Sequence, residues 1–186
     1  MKRFSISAAI AFGLLMLAQG IHAGDPVAAP LHVGVLFPEF SGQTLTGKPL
    51  TLPTVAKGKS AVLVFSFSRA AGKDARLWNE HLAKDFSDTT SAYGIILLES
   101  APKLFRGAAI SGIKSSMPLS VQDRTIVLYR DEELWKQRLA VKDVRRAYVV
   151  LLEPSGNVRW VNSGPFSDAN YARLKNQIVK LRDPHP

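Results

Sequence analysis

The sequence predicts an α/β fold in which helices flank a central mixed sheet, with a β-hairpin near the N-terminus. Short runs of apolar and β-branched residues alternate with segments whose apolar residues recur at helical spacing. In the last third, two strand-like runs surround Pro154, Ser155 and Gly156, which is the pattern of an antiparallel hairpin. A final segment with helical periodicity follows this hairpin. Together these observations predict one layered core built around a sheet.

The first residues have the composition of a signal peptide, which we place at residues 1–23. Lys2 and Arg3 form a positively charged start, an apolar run covers residues 6–18, and Ala23 is a small residue suited to cleavage. A membrane-anchoring helix is the alternative, although the apolar run is short and interrupted for a span. We therefore expect an exported protein, either periplasmic or secreted.

The remaining chain has the length of one domain. Residues 24–32 are small, apolar and marked by proline, so we expect a flexible leader there. The domain then covers residues 33–186, which is long enough for one sizeable core. At its start, the segments VGVLFPEF and KPLTLP flank Ser41-Gly42 and Thr46-Gly47, which predicts a short N-terminal hairpin or a pair of extended segments.

Five strands, of which the last two form a hairpin, and four helices are predicted after the N-terminal hairpin. Apolar, β-branched runs indicate buried strands, and apolar residues at helical spacing indicate helices with one buried face. The predicted strands are residues 61–67, 91–99 and 125–129, followed by the C-terminal hairpin of residues 148–152 and 157–161. The predicted helices are residues 74–86, 103–113, 131–139 and 167–181. Strands and helices therefore alternate until the final hairpin, as a mixed sheet requires.

The chain is basic, with 24 Lys and Arg residues against 15 Asp and Glu residues and a formal net charge of +9. This balance favours anionic partners, such as an acidic protein or the phospholipids of an envelope surface. We expect no nucleic-acid binding, because the aromatic residues do not interleave with a basic patch. The composition leaves the oligomeric state open.

The chain contains no cysteine. Thiol–disulfide exchange requires a thiolate that attacks a sulfur, so the sequence excludes this chemistry. The histidines show no metal-ligand spacing, and the chain has neither a glycine-rich phosphate motif nor a nucleophile elbow around Ser66 and Ser68. We therefore assign no catalytic residue, no metal and no cofactor.

The order of the elements resembles the thioredoxin fold in its redoxin form, as in exported thiol-disulfide oxidoreductases and peroxiredoxins. The segments AVLVFSF, YGIILLE, TIVLY and VVLLEPSGNVRW carry the resemblance, which covers nearly the whole domain. It implies that the redox cysteines would stand among Ala70, Ala71, Gly72 and Lys73, at the start of the first main helix. It also implies that the substrate-binding cis-proline would stand at Ala147. Both parts of the redox site are therefore replaced in this chain.

A second resemblance points in the same direction. The segment YVVLLEPSGNVRWVNSG, together with Trp78 on the first helix, is similar to the mitochondrial ATP synthase assembly factor family. Members of that family use a thioredoxin-like fold without needing a redox cysteine pair. This resemblance implies a binding or assembly role.

Four basic residues define the candidate binding site. In the thioredoxin fold, the start of the first helix and the loop before the last hairpin are neighbours, so Arg69 and Lys73 would approach Arg145 and Arg146. The positive end of the helix would add to their field and favour an anion or an acidic partner. The alternative interpretation is that all four are solvated surface charges without a ligand.

These observations lead to one main hypothesis and two alternatives. The main hypothesis is an exported, redox-inactive thioredoxin-like domain that acts as a binding or assembly module for a protein partner. The first alternative is a redoxin-type oxidoreductase or antioxidant relative that works without cysteine. The second is a basic protein held to an anionic envelope surface by its charge.

Overall fold

The computed structural model describes residues 28–86 and 90–182 of the chain. The predicted signal peptide and residues 24–27 of the predicted leader lie outside these ranges. The described part of the leader, residues 28–32, forms neither helix nor strand. The backbone N–H of Leu31 donates to the carbonyl oxygen of Arg138 at 2.7 Å, so this segment lies against the domain.

Seven strands form one mixed sheet in the order β2-β1-β5-β4-β3-β6-β7. The strands are β1 (Phe40–Thr44), β2 (Pro49–Leu52), β3 (Ser60–Ser66), β4 (Thr90–Leu97), β5 (Thr125–Leu128), β6 (Tyr148–Leu152) and β7 (Val158–Asn162). Strand β3 pairs in parallel with β4 and antiparallel with β6, while β4 pairs in parallel with β5. The predicted α/β class with a central mixed sheet is confirmed.

Within the described ranges, five α-helices accompany the sheet. They are α1 (Arg69–Phe86), α2 (Lys103–Ser115), α3 (Leu119–Gln122), α4 (Glu132–Arg138) and α5 (Asp168–Arg182). Within residues 28–86 and 90–182, every helix is either too short or too polar to cross a membrane. The short helix α3 was not predicted, because four residues are too few to show helical periodicity.

Strands β3 and β6 show that this part of the sheet is covered on both faces. Every residue of β3, SAVLVFS, is buried, and so is every residue of β6. A strand with apolar residues at alternate positions buries only one of its faces. A strand whose residues are all apolar must be packed on both faces. Two hydrophobic clusters, one on each face, provide this packing.

The two clusters have different compositions. One contains the aromatic group of Phe37, Phe65 and Trp135, in which the Phe65 and Trp135 ring centroids lie 5.1 Å apart. The other packs Trp78 of α1 and Tyr171 of α5 against the opposite face of β3 and β6. Helices α1 and α5 therefore lie on the same face of the sheet.

The N-terminal hairpin forms as predicted, and of the two glycine-containing pairs the second, Thr46-Gly47, lies at its turn. Ser41 and Gly42 are inside β1, and the turn falls between β1 and β2, where Gly47 adopts φ = 86°. A Cβ atom on Gly42 would lie 2.4 Å from Cγ2 of Ile126. Glycine is therefore required at this position for β1 to approach β5, and not for a turn.

Candidate functional site

The site begins at Ser68, the residue before α1. Its Oγ accepts a hydrogen bond from the Ala71 N–H at 3.2 Å and donates to the Val144 carbonyl oxygen at 2.8 Å. The first contact is the arrangement of a helix N-cap, and the second ties the helix start to the loop before β6. Helix α1 thus starts at Arg69, five residues earlier than predicted.

Residues 70–73, where the resemblance to redoxins would place the redox motif, lie in the first turn of α1. Ala70 and Lys73 are exposed, Gly72 is partly buried, and Ala71 is fully buried. None of these four side chains carries a thiol, and the buried Ala71 methyl occupies space in the core. The exposed members of this turn, Ala70 and Lys73, form its outer surface.

Asp74 joins this turn to two distant segments. Its Oδ2 accepts a hydrogen bond from the Ala147 N–H at 2.9 Å, and its Oδ1 accepts one from the Phe166 N–H at 2.7 Å. Ala147 is fully buried, so its N–H needs this partner. Proline has no N–H, so a proline at position 147 would leave Oδ2 of Asp74 without this donor. No pattern in the sequence indicates this role of Asp74.

Asp143 binds both arginines of the predicted anion site. The Arg145 guanidinium donates from Nε to Oδ1 at 3.0 Å and from Nη2 to Oδ2 at 3.1 Å. The Arg146 Nε donates to Oδ2 at 3.2 Å. The hydrogen bonds from Arg145 lower the pKa of the Asp143 carboxyl to about 2. The carboxylate is therefore ionised at neutral pH and neutralises part of the positive charge.

An open cavity of about 340 Å³ lies at this place in the fold. Two carboxylates, two guanidinium groups and one proline line it: Asp74, Asp143, Arg145, Arg146 and Pro165. The Arg145 side chain stays 75% exposed despite its contacts with Asp143, so part of its guanidinium faces solvent. The cavity is therefore polar, open and close to electrically balanced.

The structure places the four predicted basic residues in two groups. Arg145 and Arg146 line the cavity, whereas Arg69 and Lys73 stand on the adjacent first turn of α1 and do not line it. Both Arg69 and Lys73 are exposed, and neither forms an ion pair with any residue of the described ranges. The available positive charge beside the cavity thus comes mainly from α1.

The described residues provide no other reactive arrangement at this site. No group of three or more His, Cys, Asp or Glu side chains within them could hold a metal ion. The imidazole of His81 contacts the Leu77 carbonyl oxygen at 2.9 Å and packs against the rings of Phe166 and Tyr171. This histidine is partly buried on α1.

Comparisons with solved structures show the fold. A structure described as a thiol:disulfide interchange protein DsbE from Chlorobium tepidum matches with a TM-score of 0.61 and 17% identity, covering 81% of this chain and 98% of that one. The thioredoxin domain of a thiol-disulfide oxidoreductase from Bacteroides vulgatus matches with a TM-score of 0.57 and 20% identity, covering 80% and 99%. The predicted resemblance to thioredoxin-like oxidoreductases is confirmed at the level of the fold.

Comparisons of sequence show the family. The model of the ATP10 protein family matches residues 30–181. The mitochondrial ATPase complex subunit ATP10 of Candida glabrata is 26% identical over an alignment of 154 residues that covers 78% of this chain. The chain spans about half, 56%, of the length of that relative. The second predicted resemblance, to the ATP synthase assembly factor family, is confirmed.

The predicted location is wrong. The apolar N-terminus led us to expect export to the periplasm or secretion. The named relative is instead a subunit of a mitochondrial ATPase complex, and the matching family carries the same name. A positive start followed by an apolar run was therefore insufficient to assign the compartment.

The family assignment rests on a match that begins in the leader and ends in α5. It includes the whole sheet, the first turn of α1 and the loop with Asp143, Arg145 and Arg146. This chain belongs to the ATP10 protein family and has a thioredoxin-like fold.

Proposed function

We propose that this chain is a redox-inactive assembly module for an ATPase complex, and that it binds a protein subunit of that complex at the former redox site. The contact surface is the first turn of α1 together with the loop before β6. The observation that carries the proposal is the family match of a chain without cysteine. The scaffold of an oxidoreductase is kept while the sulfur chemistry is lost.

The redox-inactive part of the proposal follows from the residues at the site. Exchange of disulfides needs a thiolate, and alanine, glycine and lysine at residues 70–73 supply none. On the opposite side, the N–H of Ala147 is occupied by Asp74 and is not free to pair with a substrate backbone. We expect the purified chain to reduce insulin disulfides no faster than dithiothreitol alone. Activity above this blank would favour the oxidoreductase alternative and overturn the redox-inactive assignment.

The binding part of the proposal rests on charge and exposure. Arg69 and Lys73 are exposed without ion pairs among the described residues, and Arg145 directs part of its guanidinium into solvent. Basic groups at the start of a helix attract carboxylates, because the unpaired N–H groups of its first turn are also positive. The partner surface that fits this site is therefore acidic.

Site-specific photo-crosslinking tests where the partner binds. A photoreactive amino acid replaces Lys73 in the first turn of α1, and the matched control replaces Lys84, which is exposed in the last turn of the same helix. We expect the probe at position 73 to crosslink to a subunit of the ATPase complex and the probe at position 84 to give no such product. Equal crosslinking at both positions would contradict the assignment of the surface.

Charge variants test the role of the arginines. Reversing the charge of the arginines and removing the carboxylate that binds them should change partner binding in opposite directions. Arg145→Glu with Arg146→Glu removes the guanidinium groups, so we expect loss of the crosslink and less assembled complex on native gels. Asp143→Asn releases both arginines from their carboxylate, so we expect a stronger crosslink. Arg173→Glu with Lys180→Glu, two exposed positions of α5, is the charge-matched control. If Asp143→Asn and the double reversal change binding in the same direction, the electrostatic account fails.

A further inference from the structure

Helix α2 carries an apolar surface that nothing in the described chain covers. None of its 13 residues is buried, which contrasts with the five buried residues of α1 and the three of α5. Leu104 is 87% exposed and Phe105 is 62% exposed, and in the following helix α3 Leu119 is 72% exposed. Three large apolar side chains in successive short helices are more than the scattered exposure that is normal on a protein surface.

Polar contacts at its two ends hold α2 in place without burying it. At the N-terminal end, Arg106 donates from Nη2 to the Glu99 carbonyl oxygen at 2.6 Å and from Nε to the Ala101 carbonyl oxygen at 2.9 Å. At the C-terminal end, the buried Gln122 donates from Nε2 to the Lys114 carbonyl oxygen at 3.0 Å. The helix is therefore fixed on the domain while its outer face stays free.

The charges of this region have one sign. Residues 100–122 contain Lys103, Arg106 and Lys114 and no acidic residue. At about 100° per residue, Lys103 and Lys114 are about 20° apart around α2 and about 16 Å apart along it. Leu104 and Phe105 lie about 100° and about 200° around the helix from Lys103, so the two lysines line one edge of the exposed face and Leu104 separates them from Phe105. Lysines flanking Leu and Phe are typical of helices that lie in the interface of an anionic membrane.

We propose that α2 and α3 dock the protein on the surface of an anionic lipid bilayer. Leu104, Phe105 and Leu119 enter the boundary between headgroups and acyl chains, and Lys103 and Lys114 contact anionic headgroups. A bilayer accepts single projecting side chains without a matching cavity, whereas a protein partner needs complementary pockets for them. This surface is distinct from the first turn of α1, so the inference goes beyond the proposed function.

Vesicle binding of the full chain tests the inference. The probes are phosphatidylcholine vesicles with and without phosphatidylglycerol, and the readout is co-sedimentation. We expect binding to the anionic vesicles, and a fall of about tenfold or more for Leu104→Ser with Phe105→Ser. Val179→Ser on α5, which removes a 43% exposed apolar side chain, is the matched control and should leave binding unchanged. Residues 1–27 are the same in every variant, so their own affinity for lipid does not affect the difference.

A charge variant tests the attraction of the lysines to the headgroups, and a fluorescence readout tests the insertion of the apolar side chains. Lys103→Gln with Lys114→Gln should weaken binding to anionic vesicles by about tenfold or more and leave any binding to neutral vesicles unchanged. Phe105→Trp should shift its emission to shorter wavelengths on anionic vesicles, whereas Val179→Trp should not.

Three results would overturn the inference. They are serine variants that bind as tightly as the unaltered chain, no emission shift at position 105, and a crosslink from position 105 to a protein in place of vesicle binding. No ATPase subunit is present in the vesicle assay, so its failure would leave the proposed function untouched.

Discussion

Asp74 holds together three segments that are far apart in the sequence. The two N–H groups that it binds belong to residues 73 and 92 positions later in the chain. One of them, the N–H of Ala147, belongs to a fully buried residue, so the carboxylate supplies the acceptor that this group needs. A single side chain therefore fixes the loop before β6 and the segment after β7 against α1.

Removing this carboxylate should destabilise the domain. Asp74→Ala leaves the Ala147 N–H without an acceptor and also frees the Phe166 N–H, so we expect a loss of about 2–3 kcal/mol in the free energy of unfolding. Urea denaturation measures it. Glu80→Ala, an exposed carboxylate on the same helix, should change stability by less than about 0.5 kcal/mol. Equal effects of the two variants would show that Asp74 is not a structural acceptor.

The sequence indicates the role of one acidic residue of the site, Asp143, but not that of the other, Asp74. Asp143 stands two and three residues before the arginines that it binds, so the segment DVRR already contained the signal that their charge is partly neutralised. Asp74 gave no such signal. Its partners are backbone groups, whose identity does not appear in a sequence, and they become neighbours only when the sheet is formed.

Helix α4 is followed by a residue in the left-handed backbone conformation that is not glycine. Ala140 has φ = 48°, its N–H donates to the Gln137 carbonyl oxygen at 3.0 Å, and the Val141 N–H donates to the Lys136 carbonyl oxygen at 2.8 Å. These two bonds form a Schellman motif with Ala140 at the position that usually holds glycine. The helix therefore ends in a conformation that an alanine adopts with strain.

Ala140→Gly should stabilise the domain. It removes a left-handed strain of roughly 1–2 kcal/mol, and the larger entropy of the unfolded chain offsets part of this gain, so we expect about 0.5–1 kcal/mol. Thermal unfolding measures the shift. The same substitution at Ala172, which is exposed inside α5, should destabilise by about 0.5–1 kcal/mol. If both substitutions shift the melting temperature in the same direction, the account of α4 is wrong.

Most elements could be predicted because their apolar pattern extends over enough residues to distinguish a helix from a strand. The predicted strand over residues 61–67 differs by one residue from β3, and the strand over residues 148–152 coincides with β6. Boundaries that depend on tertiary contacts were less accurate. Helix α1 starts earlier than predicted because Ser68 caps it while also binding Val144 across the groove, a contact that no local pattern indicates.

Several carboxylates across the domain have lowered pKa values. Hydrogen bonds from Arg145 lower the pKa of Asp143 to about 2. A hydrogen bond from Lys175 is the main cause that lowers the pKa of Asp85. Burial raises the pKa of Glu132, but bonds from Ser100 and Lys136 outweigh it and the net shift is downward. Each of these groups binds its proton more weakly in the folded chain than in the unfolded chain.

Stability should therefore fall with pH on the acid side. Below the unfolded pKa of about 4, the unfolded chain takes up protons that the folded chain still excludes, so acid favours unfolding. We expect the urea midpoint to be constant near neutral pH and to fall between about pH 5 and pH 2. Asp143→Asn removes one of these groups and should make the fall shallower. A midpoint that rises as the pH drops through this range would contradict the assignment.

The polar attachment of α2 implies that the chain contains more than one cooperative unit. Since this helix contributes no buried side chain, it can open without disturbing the hydrophobic clusters on either face of the sheet. Native-state hydrogen exchange should then show amides of α2 exchanging through a local, low-energy fluctuation, while those of β3 and β6 exchange only on global unfolding. Equal protection of α2 and β3 would mean that the helix belongs to the same folding unit as the sheet.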